Sequence, residues 1–325
     1  MQSSARESVS GHVTLLFSVH SDDERTDWQG SRGAGICVEA GVDVTLARSA
    51  GSGIVTVRFT EQLAEQGSSE IYREVVRQAG ELIDLPSMSD WDFKVVSGLP
   101  FGQGFGCSAA GALAAARALL ECCGRDDETL FIDAMRIAHR VERSLSSGLG
   151  DVAALSVGGV ELRVQAGLPL SPAPGIVLGW SSDAPVLLCW RVEGQRHTSS
   201  YIDDPDWKRS ISRAGDECVD RLMQDDWTSD VWASLLAEAD VFAVASGLLE
   251  DSGRTRLLAD VQGLLVSLDM ADDWAVRLCM LGSSAVILPR RIDAPGAGLD
   301  YLRERLGEVG LEGCATRICS PPTRR

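Results

Sequence analysis

Hydrophobic spacing divides the chain into segments of two kinds. Ala5–Val9 and His12–Val19 read as strands, interrupted by Ser10-Gly11. Ile36–Ala47 alternates in part, as a half-buried strand does, and Ile54–Phe59 and Asp92–Val96 read as further strands. Helical spacing takes over at Glu70–Ile83, where Ile71, Val75, Val76 and Ala79 share one side. Ala109–Leu120 is mostly Ala and Leu, and Glu128–Arg143 carries Phe131, Met135 and Ala138 on one face. A short apolar helix at Val152–Val157 and a returning strand, Gly158–Val164, follow. Ala166–Pro174, with Gly167, Pro169, Pro172 and Pro174, reads as a linker and divides the chain into 1–165 and 166–325. Beyond it come strands at Ile176–Trp180 and Val186–Val192, a helix at Ile211–Gln224 and helices within Val231–Ser267. Ala275–Met280 and Ala285–Leu288 flank Leu281-Gly282-Ser283-Ser284 as a hairpin, and a helix at Leu299–Val309 and a strand at Cys314–Cys319 close the chain. The pattern predicts an α+β protein, and 325 residues suffice for two domains.

One stretch departs from both periods. Leu99-Pro100-Phe101-Gly102-Gln103-Gly104-Phe105-Gly106-Cys107-Ser108-Ala109-Ala110 joins the strand Asp92–Val96 to the helix at Ala109–Leu120. Three glycines at alternate positions let the backbone turn and approach a ligand closely. Ser108 sits where it can cap the helix, whose first amides then point, unpaired, into the loop. Those amides and the helix dipole suit a phosphate. A plain tight turn would also explain the glycines. No Gly-Lys-Ser/Thr follows, which excludes a P-loop, and no parallel strand–helix series with a suitably spaced acidic partner supports a dinucleotide fold.

Composition removes other classes. Hydrophobic content of 45% and charged content of 24% are those of an ordinary globular protein, and a net charge of −17 argues against a nucleic-acid surface. No apolar run approaches the ~20 residues needed to cross a membrane, and Met1–Ser10 has no signal-type apolar core, so a cytoplasmic protein without membrane partners is expected. Nine cysteines without a Cys-x-x-Cys pair read as thiols in a reducing compartment rather than disulfides or a zinc site.

The order strand, Pro-x-x-x-Gly-x-Gly-x-Ser-Ala, helix resembles the nucleotide loop of the GHMP kinases, the family of galactokinase, homoserine kinase, mevalonate kinase and phosphomevalonate kinase. Phe105 stands where that pattern has Leu, and Cys107 where it has the first Ser. The resemblance implies a two-domain α+β fold: an N-terminal domain like domain 2 of ribosomal protein S5 and a ferredoxin-like C-terminal domain. It implies ATP bound at Pro100, Gly102, Gln103, Gly104, Phe105, Gly106, Cys107, Ser108 and Ala109. It also implies Mg²⁺ held by Ser108 and Glu142, and Asp151 facing the acceptor hydroxyl. On composition alone, Glu142 reads as a solvated helix carboxylate and Asp151 as a cap; their order after the loop is what the resemblance explains. The hairpin at 281–284 takes the place of the family's third motif, which supports the phosphate loop. In the first motif His12 replaces a Lys/Arg.

Within the family, Gly-His-Val-Thr at 11–14 with Phe17 and His20, Gly-Ser-Arg-Gly-Ala-Gly at 30–35 and Gly-Leu-Gly-Asp-Val at 148–152 with Gly158-Gly159 are similar to the archaeal pantoate-phosphorylating branch. This implies ATP-dependent phosphorylation of the 4-hydroxyl of (R)-pantoate, a step of coenzyme A synthesis, by a homodimer. Pantoate carries a carboxylate, and Ser31, Arg32, His139 and Arg163 offer donors for it. The plainer reading packs His139 against the 109–120 helix and leaves Arg163 in solvent. Two other functions stay open: a mevalonate- or homoserine-type kinase, and a regulatory protein of the same fold without catalysis.

Overall fold

The computed structural model describes residues 3–60, 67–125, 127–191, 205–280, 282–294 and 296–319. Val192 and Leu281, both read into elements above, lie outside them.

The first sheet is organised around one long strand. β2 (Gly33–Ala50) is paired antiparallel to β1 (Ser3–Phe17) along one edge. Its other edge is shared: β5 (Val160–Gln165) pairs with Gly33–Ile36, and β4 (Ser89–Ser97) with Val42–Ala50. β3 (Val55–Phe59) runs parallel to β4, and β6 (Ile176–Trp180) is antiparallel to β5. The two N-terminal segments read as separate strands are one strand, with a register shift between Ser10 and Gly11 that absorbs the interruption. Three helices pack together beside this sheet: α1 (Ser69–Leu82), α2 (Cys107–Cys122) and α3 (Asp127–Ser144). α2 is buried almost all round, which is why its sequence is nearly pure Ala and Leu without an amphipathic stripe. α4 (Asp151–Leu155) is a single short turn between α3 and β5.

The second sheet has the order β10-β7-β9-β8, from β7 (Pro185–Trp190), β8 (Trp274–Leu278), β9 (Ser284–Pro289) and β10 (Glu312–Arg317). Helices α5 (Pro205–Leu222), α6 (Trp232–Ala245) and α7 (Ser252–Ser267) lie between β7 and β8, and α8 (Leu299–Arg305) precedes β10. That is the ferredoxin-like arrangement. The first sheet does not end at Gln165. Ile176–Trp180 returns to pair with β5, and Leu168 in the intervening segment is fully buried. The Pro/Gly-rich stretch is therefore an internal connection, and by sheet membership the division falls after Trp180 rather than between 165 and 166. No helix among the described residues is long and apolar enough to cross a membrane.

Candidate active site

The glycine loop reads as two alternating sets. Phe101, Gln103, Phe105 and Cys107 are buried; Gly102, Gly104, Gly106 and Ser108, with Phe105 and Cys107 of the buried set, line an open cavity of about 90 Å³. Phe105 packs edge-on against Trp190, with ring centroids 5.7 Å apart. The Gln103 amide donates to the Arg191 carbonyl (2.9 Å) and accepts from the Ser283 amide (3.2 Å). Gln103 and Phe105 thus fasten the loop to the second sheet. Gly102, Gly104 and Gly106 all have φ between 65° and 76°. A Cβ at Gly104 would also meet the Met280 carbonyl oxygen at 2.6 Å. The β8–β9 turn supports the loop as the third-motif resemblance implies: Ser284 Oγ donates to the Gln103 carbonyl, and Gly282 leaves room for it.

α2 begins at Cys107, with Gly106 as its cap residue in the left-handed region. Ser108 is therefore the second residue of the helix and not its cap, and its hydroxyl borders the cavity instead. The Cys107 thiol points back toward the Leu99 and Pro100 carbonyls, and burial pushes it up to about 12.

The opposite wall is built from Ser147–Asp151 with Thr14, Phe17 and Ser31. Glu142 is buried at the end of α3. Its Oε2 accepts from the Val152 amide (3.4 Å), while its Oε1 has no hydrogen-bond partner among the described residues. Burial, reinforced by the Asp151 charge, pushes its carboxyl up to about 8. A Cβ on Gly148 would lie 2.2 Å from Glu142 Oε1 and 3.1 Å from Asp151 Oδ2, so this glycine keeps open the space between the two carboxylates. Burial alone would raise Asp151 as well. The His12 hydrogen bond and charge, with Arg163 and the Thr14 hydroxyl, hold it below the ordinary carboxylate range.

Behind Asp151 runs a buried chain. His12 Nδ1 lies 2.5 Å from Asp151 Oδ1, His12 Nε2 lies 3.1 Å from Glu161 Oε1, and Arg163 Nη1 donates to that same oxygen at 2.8 Å. Burial opposes the charged form of His12, but the two carboxylates prevail and raise its imidazole above the ordinary value. Arg163 is 1% exposed, which overturns the reading of it as a solvated strand residue. β5 is a central strand buried on both faces from Val160 to Arg163, so alternation does not send Glu161 or Arg163 to water. The Arg163 Nε is buried without a partner among the described residues. A Cβ on Gly150 would come within 2.9 Å of that Nε and 2.1 Å of Ser31 Oγ, which places both donors behind one glycine of the cavity wall.

Two expected ligands stand elsewhere. His139 is fully buried with Nε2 3.1 Å from the Thr26 carbonyl oxygen and does not border the cavity. One helical turn from Glu142 is a different direction once α3 packs against the 26–28 turn. Arg32 donates to the Val164 carbonyl and pairs with Asp216 and Asp220 of α5, so it joins the two halves of the chain. Glu161 escaped the sequence reading; the strand register sets it opposite Gly35. Thr14, the last residue of the Gly-His-Val-Thr motif, lies two residues beyond His12 on β1 and lines the cavity.

The donor set fits a magnesium–nucleotide. Magnesium is commonly held by one or two carboxylates plus phosphate oxygens rather than a full protein cage. Here Glu142 Oε1 has no hydrogen-bond partner among the described residues and its carboxyl is raised, while Ser108 and the N-terminus of α2 line the cavity whose wall includes Gly148, the residue in front of Glu142.

Residues 66–159 match the model of the GHMP kinases N terminal domain. This chain has the GHMP kinase fold. Among solved structures, a "Phosphotransferase related to CoA biosynthesis pathway" superposes with a TM-score of 0.75 over 98% of this chain and 97% of that one, at 22% identity. A mevalonate kinase with the same fold gives 0.65 over 97% and 99%, at 10% identity. MDDEF, solved with MVAPP, AMPPCP and magnesium, gives 0.68 over 99% and 98%, at 12% identity. Among curated sequences, pantoate kinase of Methanocaldococcus jannaschii is 27% identical, over 74% of this chain and 80% of that protein. Pantoate kinase of Methanospirillum hungatei is 27% identical, over 80% and 82%. The glycine loop and Asp151, far apart in sequence, line one cavity, and Glu142 lies behind Gly148 of its wall.

Proposed function

We propose that the protein is an ATP-dependent kinase that phosphorylates the 4-hydroxyl of (R)-pantoate. The observation that carries this reading is a cavity lined by a helix N-terminus of phosphate-binding type and by Asp151, with Glu142 behind Gly148 of its wall and Ser31 Oγ and Arg163 Nε beside Gly150. The names of the similar curated proteins point the same way. The amides of the Gly102–Ala109 stretch hold the phosphates. Ser108 and Glu142 hold Mg²⁺, which neutralises charge on the β- and γ-phosphates when bound. Asp151, kept ionised by its neighbours, orients the acceptor hydroxyl and takes its hydrogen. Ser31 Oγ and Arg163 Nε receive the acceptor carboxylate at the Gly150 corner, where the low dielectric strengthens a charge-assisted pair.

The test is ADP release by purified protein with Mg-ATP and, in turn, pantoate, mevalonate and homoserine. Turnover with pantoate alone is expected. Preference for mevalonate or homoserine would reassign the acceptor, and Mg-ATP binding without turnover of any acceptor would favour the regulatory reading.

A further inference from the structure

We propose that His12 is a positioning residue for the reaction, resting on the kinase reading above: its Nδ1–H pins one oxygen of Asp151, and Glu161 with Arg163 pins the ring. The second Asp151 oxygen is then left to meet the acceptor hydroxyl. The 2.5 Å contact joins His12 Nδ1 to Oδ1, while Oδ2 is the oxygen beside Gly148 in the cavity wall. His12 itself is wholly buried and Asp151 is about a quarter exposed, so the carboxylate reaches the cavity and the imidazole does not.

The surroundings are shaped for this contact. A Cβ on Gly35 would fall 2.8 Å from His12 Nε2 and 3.0 Å from Glu161 Oε1, so glycine there is what lets imidazole and carboxylate meet. The groups facing the ring are Asp151, Glu161 and, at 3.4 Å, Arg163 Nη1. Two carboxylates against one imidazolium and one guanidinium make the chain neutral as a unit, which a buried cluster requires. His12 also donates its backbone amide to the Phe105 carbonyl (3.0 Å) and packs against Gly106. One residue therefore fixes the distance between the phosphate loop and the carboxylate that orients the acceptor, and sub-ångström placement of reacting groups matters to rate.

In the step itself, the acceptor oxygen bonds to the γ-phosphorus as the bond from that phosphorus to the β–γ bridging oxygen breaks, and ADP keeps the electron pair. The hydroxyl hydrogen passes to Asp151 Oδ2 and leaves to solvent with the product. His12 exchanges no proton with solvent, because its ring is wholly buried and both nitrogens are engaged, Nδ1 by Asp151 and Nε2 by Glu161.

Three variants test this. His12→Asn keeps a donor where Nδ1 stands, His12→Gln keeps one only where Nε2 stands, and His12→Ala keeps neither. We expect kcat to fall on the order of 10- to 100-fold in His12→Gln and His12→Ala, with KM for ATP little changed and with recovery of most of the loss in His12→Asn. A His12→Gln enzyme with wild-type kcat, or a His12→Asn enzyme as slow as His12→Ala, overturns the proposal. Imidazole NMR of the nucleotide-free protein gives a readout that needs no turnover. An exchange-protected Nδ1–H proton should be present in wild type and lost in Asp151→Asn, and its absence from wild type overturns the proposal too. Failure of the kinase reading shows differently, as wild-type protein that releases no ADP with pantoate.

Discussion

Replacing Glu142 by Gln should stabilise the nucleotide-free protein above neutral pH while removing its response to magnesium. Burial and the Asp151 charge carry this carboxyl from 4.5 to about 8. An acid whose folded value is raised binds a proton in the fold that the unfolded chain has released. Its contribution to stability is therefore fully present below about pH 4.5 and is lost as pH rises toward 8. Each tenfold change in proton affinity is worth about 1.4 kcal/mol, so by pH 8 the site costs the metal-free fold on the order of 3–5 kcal/mol. Glutamine removes that cost and leaves a buried amide in its place, worth about 1–3 kcal/mol if poorly bonded. The net gain at pH 8 is about 1–3 kcal/mol, which at roughly 2 °C per kcal/mol for a chain of this length is a melting point higher by a few degrees. Near pH 5 the gain should vanish. Magnesium reverses the comparison: it displaces the proton from Glu142, so Mg-ATP should raise the melting point of wild type more at pH 8 than at pH 6 and should barely move the variant. Thermal melts between about pH 5 and 9, with and without Mg-ATP, check all of this. A metal-free Glu142→Gln protein that melts below wild type at pH 8, with the same pH profile, refutes both the burial argument and the metal assignment.

Three other changes separate the parts of the site. Asp151→Asn should lower kcat on the order of 10²–10⁴-fold and leave KM for ATP nearly unchanged in steady-state assays, since a hydroxyl acceptor acts in the transition state. Gly150→Ala places a methyl 2.1 Å from Ser31 Oγ and 2.9 Å from Arg163 Nε, so KM for pantoate should rise at least tenfold while ATP affinity by calorimetry stays close to wild type. Gly104→Ala sets a side chain at φ 76° with its Cβ 2.6 Å from the Met280 carbonyl oxygen; it should lower the melting point and weaken Mg-ATP binding together, because the loop and the β8–β9 turn are one packed unit.

Much of this site was legible because its signals are local. A glycine at every second position of 102–106 states its own backbone demand, and Glu142 and Asp151 follow the loop in an order that a resemblance can match. The strands and helices of the first half emerged within a few residues of their observed bounds for the same reason: burial repeats with the period of each element. Ser108 illustrates the limit of local reading. Cap preference pointed to the hydroxyl, but Gly106 adopts the left-handed conformation one residue before the helix, so the helix starts earlier and the hydroxyl is released to the cavity.

What remained hidden depends on which strands are neighbours. Arg163 alternates with Leu162 and Val164, and alternation alone sends it away from the core those residues share. That inference holds for a strand with one wet face. β5 lies between β2 and β6 with both faces covered from Val160 to Arg163, so Glu161 and Arg163, opposite Leu162, enter a second interior instead of solvent. The register then decides their company: Glu161 faces Gly35 and Arg163 faces Gly33. A Cβ at either glycine would collide with the charged groups across from it, at 2.5 Å from Arg163 Nη2 and 3.0 Å from Glu161 Oε1. Gly33 and Gly35 of the 30–35 cluster hollow out the sheet for the chain Asp151–His12–Glu161–Arg163. Their chemistry is that of missing side chains, and a missing side chain acquires meaning only when the opposite strand is known.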